Sequence, residues 1–222
     1  VNPRARAKPG CAGRAGVFSR LRLVAPDEGA GPDDTVEAGA QGQVIVSLES
    51  DEAFAGYWRR PDADARALRG GWYFTGDLAR QDDEGEYWVA GRVDDMINSG
   101  GENLYPIEIE DALARCPEVS DVVVAGMPDE KWGQAVTAFV VPRQLGGEEG
   151  VLARIDEFVR TSSGLSSLTR PKRIVLVEAV PKSAVGKVLR RELIAGNYVP
   201  LADSATGAAP GPQGPVGGGS GG

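Results

Sequence analysis

Histidine does not occur in the 222 residues. Its absence removes histidine triads, histidine metal ligands and histidine proton shuttles, so any chemistry falls to lysine, arginine, carboxylates or backbone groups. Cysteine is nearly as scarce. Cys11 and Cys116 are too few for a disulfide frame and have no zinc-site spacing, so no metal centre is expected in the chain. No apolar run is long enough to cross a membrane and no charged-then-apolar signal opens the sequence, which makes a cytoplasmic protein the simplest expectation. Cations are in the minority: 24 Lys and Arg face 32 Asp and Glu, for a net charge of -8 and a pI near 4.8. That balance disfavours a general nucleic-acid or anionic-membrane surface, because phosphate contacts need clustered positive charge. Any phosphate site must be local.

What is present is enough apolar residue, 41%, to build a core, with a change of periodicity along the chain. The opening "VNPRARAKPGCAGRAG" is rich in Gly, Pro, Ala and Arg and reads as irregular. "SRLRLVAP" and "GQVIVSLES" read as strands, and "GGWYFTGDLARQDDEGEYWVAGR" as a hairpin turning near Asp83 and Gly85. From Pro106 the apolar spacing becomes helical, with Glu108 and Glu110 near the positive end of the helix and Pro117 stopping it. Two strand-like runs, "EVSDVVVAGMPD" and "GQAVTAFVVPR", precede a helix at "VLARIDEFVRTSSG". A strand at "KRIVLVEAV" and a short helix at "KVLRRELIAG" follow. These elements predict an α+β protein, a small β subdomain over residues 1–92 followed by a compact domain over 93–198 whose sheet is covered by helices. Residues 199–222, rich in Gly, Pro and Ala, read as a disordered tail.

Four stretches carry candidate chemistry. In "YFTGD", the glycine permits a sharp turn and Asp77 is suited to accept hydrogen bonds from two vicinal hydroxyls, as on a ribose; a plain turn is the alternative. In "GRVDDMINSGGEN", Arg92 is a fixed cationic fork for phosphate or ribose oxygens. There Asp94 and Asp95 sit where a bend between domains is expected, and Gly100 with Gly101 would let another group pass close to the backbone; a polar loop is the alternative. In "DEKWGQ", Trp132 either plugs the core or stacks on a ligand. Last, residues 170 to 191 hold seven cations (Arg170, Lys172, Arg173, Lys182, Lys187, Arg190, Arg191) against Glu178 alone, which favours an anion-binding region over a solvated face. The "GK" within "PKSAVGKVLRR" is not a phosphate-binding loop, which needs a glycine at Pro181 and a hydroxyl at Val188.

In order and spacing, "GYWRRPDADARALRGGWYFTGD", "GRVDDMINSGGENLYPIEIE", "WGQAVTAFVVPR" and "PKSAVGKVLRREL" resemble the late motifs of the adenylate-forming (AMP-binding) ligases. The resemblance runs from about Gly13 to Ile194 and is nearest to acyl- and aryl-CoA ligases of the chlorobenzoate type. It implies an enzyme that activates a small-molecule carboxylate with ATP and magnesium to an acyl-adenylate and passes the acyl group to coenzyme A. By the same resemblance Lys187 is the adenylation lysine, Asp77 holds the ribose hydroxyls and Arg92 meets the nucleotide. Asp94 is then the hinge of a mobile C-terminal domain. Gly100 and Gly101 flank the pantetheine, Trp132 lies beside coenzyme A, and Arg170 and Lys172 meet its phosphates, whereas Leu168 stands where an aromatic residue would stack on adenine.

The family's Ser/Thr/Gly-rich phosphate loop, magnesium glutamate and acyl pocket have no counterpart in these residues. The resemblance therefore implies the C-terminal portion of a ligase, inactive by itself, with a truncated frame and a split enzyme partnered by a separate N-terminal half both open. Two other readings stand beside it: a peptide-synthetase fragment that loads a carrier protein, and a noncatalytic interaction module that keeps the fold.

Overall fold

The computed structural model of the chain describes residues 8, 10–27, 29–50, 53 and 55–204. They fall into two compact units, divided between Met96 and Ile97.

In the first unit, β1 (Leu21–Val24) and β2 (Gln41–Ser47) form an antiparallel pair, and β2 pairs in turn with the long β4 (Trp72–Gln81). A short helix, α1 (Pro61–Ala67), and the two-residue β3 (Leu68–Arg69) lead into β4, and β5 (Tyr87–Arg92) returns along it. The unit is thus not purely β. Helix α1 escapes a periodicity reading because it buries no residue, so "PDADARA" has no apolar stripe; Pro61 and its first-turn acids start it instead. Alternate residues of the strands form the core, with Val24, Ile45 and Phe74 buried together and Trp72 packed on them. The hairpin turn falls where expected, with the Gly85 amide donating to the Asp82 carbonyl. Lys8 lies among Asp82, Glu84 and the buried Glu86 at 2.6, 3.0 and 3.2 Å, tying the segment before β1 to this hairpin.

A 3-10 turn, Val93–Asp95, closes the first unit. The second begins with two three-residue strands, β6 (Ile97–Ser99) and β7 (Glu102–Leu104), hidden in the sequence as a polar loop. Helix α2 (Pro106–Leu113), β8 (Val119–Asp129), β9 (Gly133–Pro142), α3 (Glu148–Thr161), β10 (Arg173–Val177), α4 (Arg190–Ile194) and β11 (Pro200–Asp203) follow. β9 is the centre: β8 pairs with it antiparallel, β10 parallel, and β6 joins it at Ser99 and Gly133. Its residues are buried on both faces, which is why "AVTAFVV" reads as a continuous apolar run rather than an alternation. Val136, Ala138 and Val140 pack with Ile109 and Leu113 of α2 and Val151, Ile155 and Val159 of α3. Phe139 points the other way, onto Val123, Val175 and Leu193 of α4, with the Tyr198 ring edge-on at 4.9 Å between centroids.

The tail expected over 199–222 starts later. β11 extends the sheet beside β10, Ala202 is buried, and Asp203 accepts from the Arg173 guanidinium, which supplies what a composition reading of "PLADS" does not contain. Residues 205–222 lie outside the described residues. No helix among the described residues is long and apolar enough to cross a membrane.

Because Phe139 is fully buried in the strand that organises the sheet, Phe139→Ala is expected to destabilise the protein by about 3–5 kcal/mol, read from the urea midpoint at unchanged m.

Candidate functional site

The register of β4 against β5 makes Asp77 and Arg92 cross-strand partners. Arg92 Nη1 donates to Asp77 Oδ1 at 2.7 Å and to the Thr75 carbonyl at 3.1 Å, and its other terminal nitrogen lies 3.7 Å from Asp94. Thr75 fixes the turn from beneath: its hydroxyl donates to the Val44 carbonyl and accepts from the Asp77 amide at 3.0 Å. Partial burial works against the Arg92 charge, but the hydrogen bond to Asp77 and the charges of Asp77, Asp94 and Asp95 outweigh it and raise its pKa. Asp77 and Arg92 both remain substantially exposed, so the arrangement offers a carboxylate and a cationic fork side by side to a polar ligand. Asp94 sits in the 3-10 turn with its side chain 84% exposed, two residues before the division between units.

In the second unit, three of the sequence candidates come together. Pairing of Ser99 with Gly133 lets the Gly100 amide donate to the Trp132 carbonyl at 2.9 Å. A Cβ on Gly100 would lie 3.0 Å from the Trp132 ring, so the indole packs where a side chain would otherwise stand. Parallel pairing of β10 with β9 brings in Lys172, whose amide donates to the Val136 carbonyl and whose ammonium lies 5.2 Å from the Trp132 ring centre. Lys131, which sequence reading passed over, lies over the same ring at 4.9 Å. A half-buried tryptophan flanked by two ammonium groups and a bare backbone can take a flat or phosphorylated ligand. Gly101 lies beside this group in open space. Arg170 is not in it; its guanidinium donates to the carbonyls of Leu165 and Arg160 and braces the end of α3.

Lys187 stands on a separate feature, a tight hairpin. The Gly186 amide donates to the Ser183 carbonyl, the Ser183 amide to the Lys187 carbonyl, and the Leu189 amide to the Pro181 carbonyl. Gly186, at φ +80°, occupies the left-handed position that such a turn requires, and that is the meaning of the glycine before the lysine. Lys187 is exposed and forms no ion pair among the described residues. The seven cations of 170–191 do not form one anion-binding patch. Arg173 pairs with Asp203, Lys182 with Asp121, Arg190 with Glu110 and Arg191 with Glu192. Those acids are distant in sequence apart from Glu192, which is why a local charge count overstates the cluster.

Among the described residues, Asp82, Glu84 and Glu86 form a converging set of carboxylates, but the Lys8 ammonium stands in it. This set is filled by a side-chain cation.

A model of the AMP-binding enzyme C-terminal domain matches residues 108–187. The medium/long-chain-fatty-acid–CoA ligase FadD8 of Mycobacterium tuberculosis is 42% identical over 180 residues, covering 79% of this chain and 30% of its own length. The 4-chlorobenzoate–CoA ligase of an Arthrobacter species is 37% identical over 180 residues, covering 81% of this chain and 33% of its own. The solved anthranilate CoA ligase AuaEII, in complex with anthranoyl-AMP, superposes with TM-score 0.71 at 32% identity over 85% of this chain and 35% of that one. ATP-bound MatB of Rhodopseudomonas palustris gives TM-score 0.69 at 29% identity, over 85% and 36%. The chain thus spans about a third of the length of the curated relatives it matches.

One titration tests the first-unit geometry. Tyr73, on β4 near Asp77, has its phenol pushed up to about 12 by burial and by its hydrogen bond with Tyr57. Its folded pKa lies above the unfolded value of 10.0, so the stability it contributes is complete below pH 10 and lost as pH rises towards 12. Absorbance titration of Tyr73→Phe is expected to lack the late phenolate transition, and its stability should fall less between those pH values.

Proposed function

We propose that this chain, which belongs to the adenylate-forming AMP-binding enzymes through its C-terminal domain, is the lysine-bearing part of an ATP-dependent carboxylate–CoA ligase. The observation that carries this reading is Lys187, exposed on the return arm of a hydrogen-bonded hairpin and in no ion pair among the described residues. An ammonium with no internal carboxylate to neutralise it is available to an external anion. Between a substrate carboxylate and the α-phosphate of ATP it stabilises negative charge that grows in the adenylation transition state.

The other residues take roles that fit their geometry. Asp77 accepts from the ribose hydroxyls, and Arg92, already hydrogen-bonded to Asp77, presents its remaining donors to the nucleotide. Asp94 is the hinge residue for movement of the C-terminal domain. The group formed by Gly100, Trp132 and Lys172 receives coenzyme A, with Gly100 and Gly101 along the pantetheine and Lys172 towards the phosphates. The names of the relatives, a fatty-acid–CoA and a chlorobenzoate–CoA ligase, support a thiol acceptor of the coenzyme A kind over a carrier protein.

Magnesium, which ATP chemistry of this class uses, finds no donor set fitted to it among the described residues, since the one carboxylate trio is held by Lys8. We assign the metal, the triphosphate cradle and the acyl pocket to a partner segment, on the same or a separate polypeptide.

In a ligase that contains this segment, Lys187→Ala is expected to slow adenylation by roughly 100-fold or more while conversion of supplied acyl-adenylate to thioester stays within about twofold. Equal loss in both half-reactions would contradict the role. Assayed as the 222-residue polypeptide alone, the chain is expected to release no carboxylate-dependent pyrophosphate.

A further inference from the structure

We propose that Glu110 and Arg190 are positioning residues for Lys187, forming a clamp closed over a single residue of β8, Val124. The catalytic half of this inference rests on the reading of Lys187 as the adenylation lysine; the structural half does not.

The hairpin that carries Lys187 stands on β8 by two feet. On the arm before the turn, Lys182 Nζ donates to Asp121 Oδ2 at 2.6 Å. On the arm after it, Arg190 Nη2 donates to Glu110 Oε1 at 2.7 Å while Arg190 Nε donates to the Val124 carbonyl at 3.2 Å. The same Glu110 oxygen accepts from the Val124 amide at 2.8 Å. Both backbone polar groups of residue Val124, its N–H and its C=O, are therefore met by side chains, on a strand that among the described residues pairs with β9 alone. That is a fixed anchorage: α2 supplies the carboxylate, β8 the backbone N–H and C=O of one residue, and the residue three positions beyond Lys187 the guanidinium.

The two feet are unequal. Lys182 and Asp121 are 44% and 39% exposed, the range in which an ion pair contributes little, whereas Arg190 and Glu110 are 21% and 16% exposed. Removing Arg190 takes the guanidinium from Glu110 and strips a hydrogen bond from the Val124 carbonyl, whereas neutralising Glu110 weakens the pair from the other side. The hairpin would then keep its own turn but lose its register on β8. The ammonium three residues away would sample positions from which it no longer meets a transition state, without any loss of the charge itself.

The test uses amide hydrogen exchange on the whole chain. In Arg190→Met, the amides of Ser183, Gly186 and Lys187 are expected to exchange about tenfold faster or more, and in Glu110→Gln, which keeps an acceptor for Val124, about threefold or more. Lys182→Ala should change them by less than about threefold, and the amides of Val140 and Val175 should be unaffected in all three. In the ligase, Arg190→Met should lower kcat for adenylation about tenfold with the KM for ATP unchanged and the thioester step intact, and Arg190→Lys should recover part of the loss.

Unaltered exchange at the three amides in both Arg190→Met and Glu110→Gln would overturn the clamp. So would loss of protection that spreads through β9 and β10, because the pair would then serve the sheet rather than the hairpin. If Arg190→Met does not fold, Glu110→Gln decides. A loosened hairpin with unchanged adenylation kinetics would overturn the positioning role. Lys187→Ala with undiminished adenylation would instead overturn the functional reading and leave the exchange result standing.

Discussion

The constraint on which the second unit depends is the burial of β9 on both faces. A strand in that position must find apolar partners above and below, and the parity of its residues decides which element goes where: Val136, Ala138 and Val140 gather α2 and α3, and Phe139 gathers α4. The ends of the strand inherit the rest. At its start, antiparallel contact with β6 and parallel contact with β10 bring Gly100 and Lys172 to Trp132, although these residues are 32 and 40 positions from the tryptophan in the sequence or nearly adjacent only through the fold. The face that receives α4 also receives the hairpin of Lys187, because Val188 packs with the cluster around Phe139.

In the first unit a single register has the corresponding part. Asp77 and Arg92 are 15 residues apart, and the β4–β5 pairing places them opposite each other, where the ion pair holds each at the other's side without burying either. Thr75 orients the Asp77 amide from below, so the motif "TGD" is a small scaffold in which one residue fixes the backbone and another presents the carboxylate. The same hairpin is tied at its far end to Lys8.

Much of this was legible in the residues. The long strands and the two longer helices announce themselves by apolar spacing, whereas the helix expected from Lys187 begins at Arg190, and Lys187 stands instead on the hairpin before it. What was not legible depends on partners distant in sequence. β6, β7 and β11 have too few apolar residues to be read alone and exist because a neighbour offers each an edge: β9 for β6, β6 for β7 and β10 for β11. Helix α1 buries nothing, so no stripe marks it. The density of cations from Arg170 to Arg191 suggested one phosphate-binding surface, yet Asp203, Asp121 and Glu110 take up Arg173, Lys182 and Arg190 from three different elements. Arg170, read as a phosphate ligand, spends two of its donors on carbonyls at the end of α3. Lys172 likewise gives one donor to the Ser167 carbonyl at 2.7 Å, so pairing across the fold separates structural cations from available ones and leaves Lys187 with the clearest claim on a ligand.

The central claim is that the second unit is built to meet coenzyme A at Trp132 and to present Lys187 to a different anion. Titrating coenzyme A into isotopically labelled chain and following amide and indole resonances tests it most directly. The account predicts saturable shifts at Gly100, Gly101, the Trp132 indole N–H and Lys172, with the amides of the Lys187 hairpin unmoved. No saturable shift, or shifts confined to the hairpin, would contradict it.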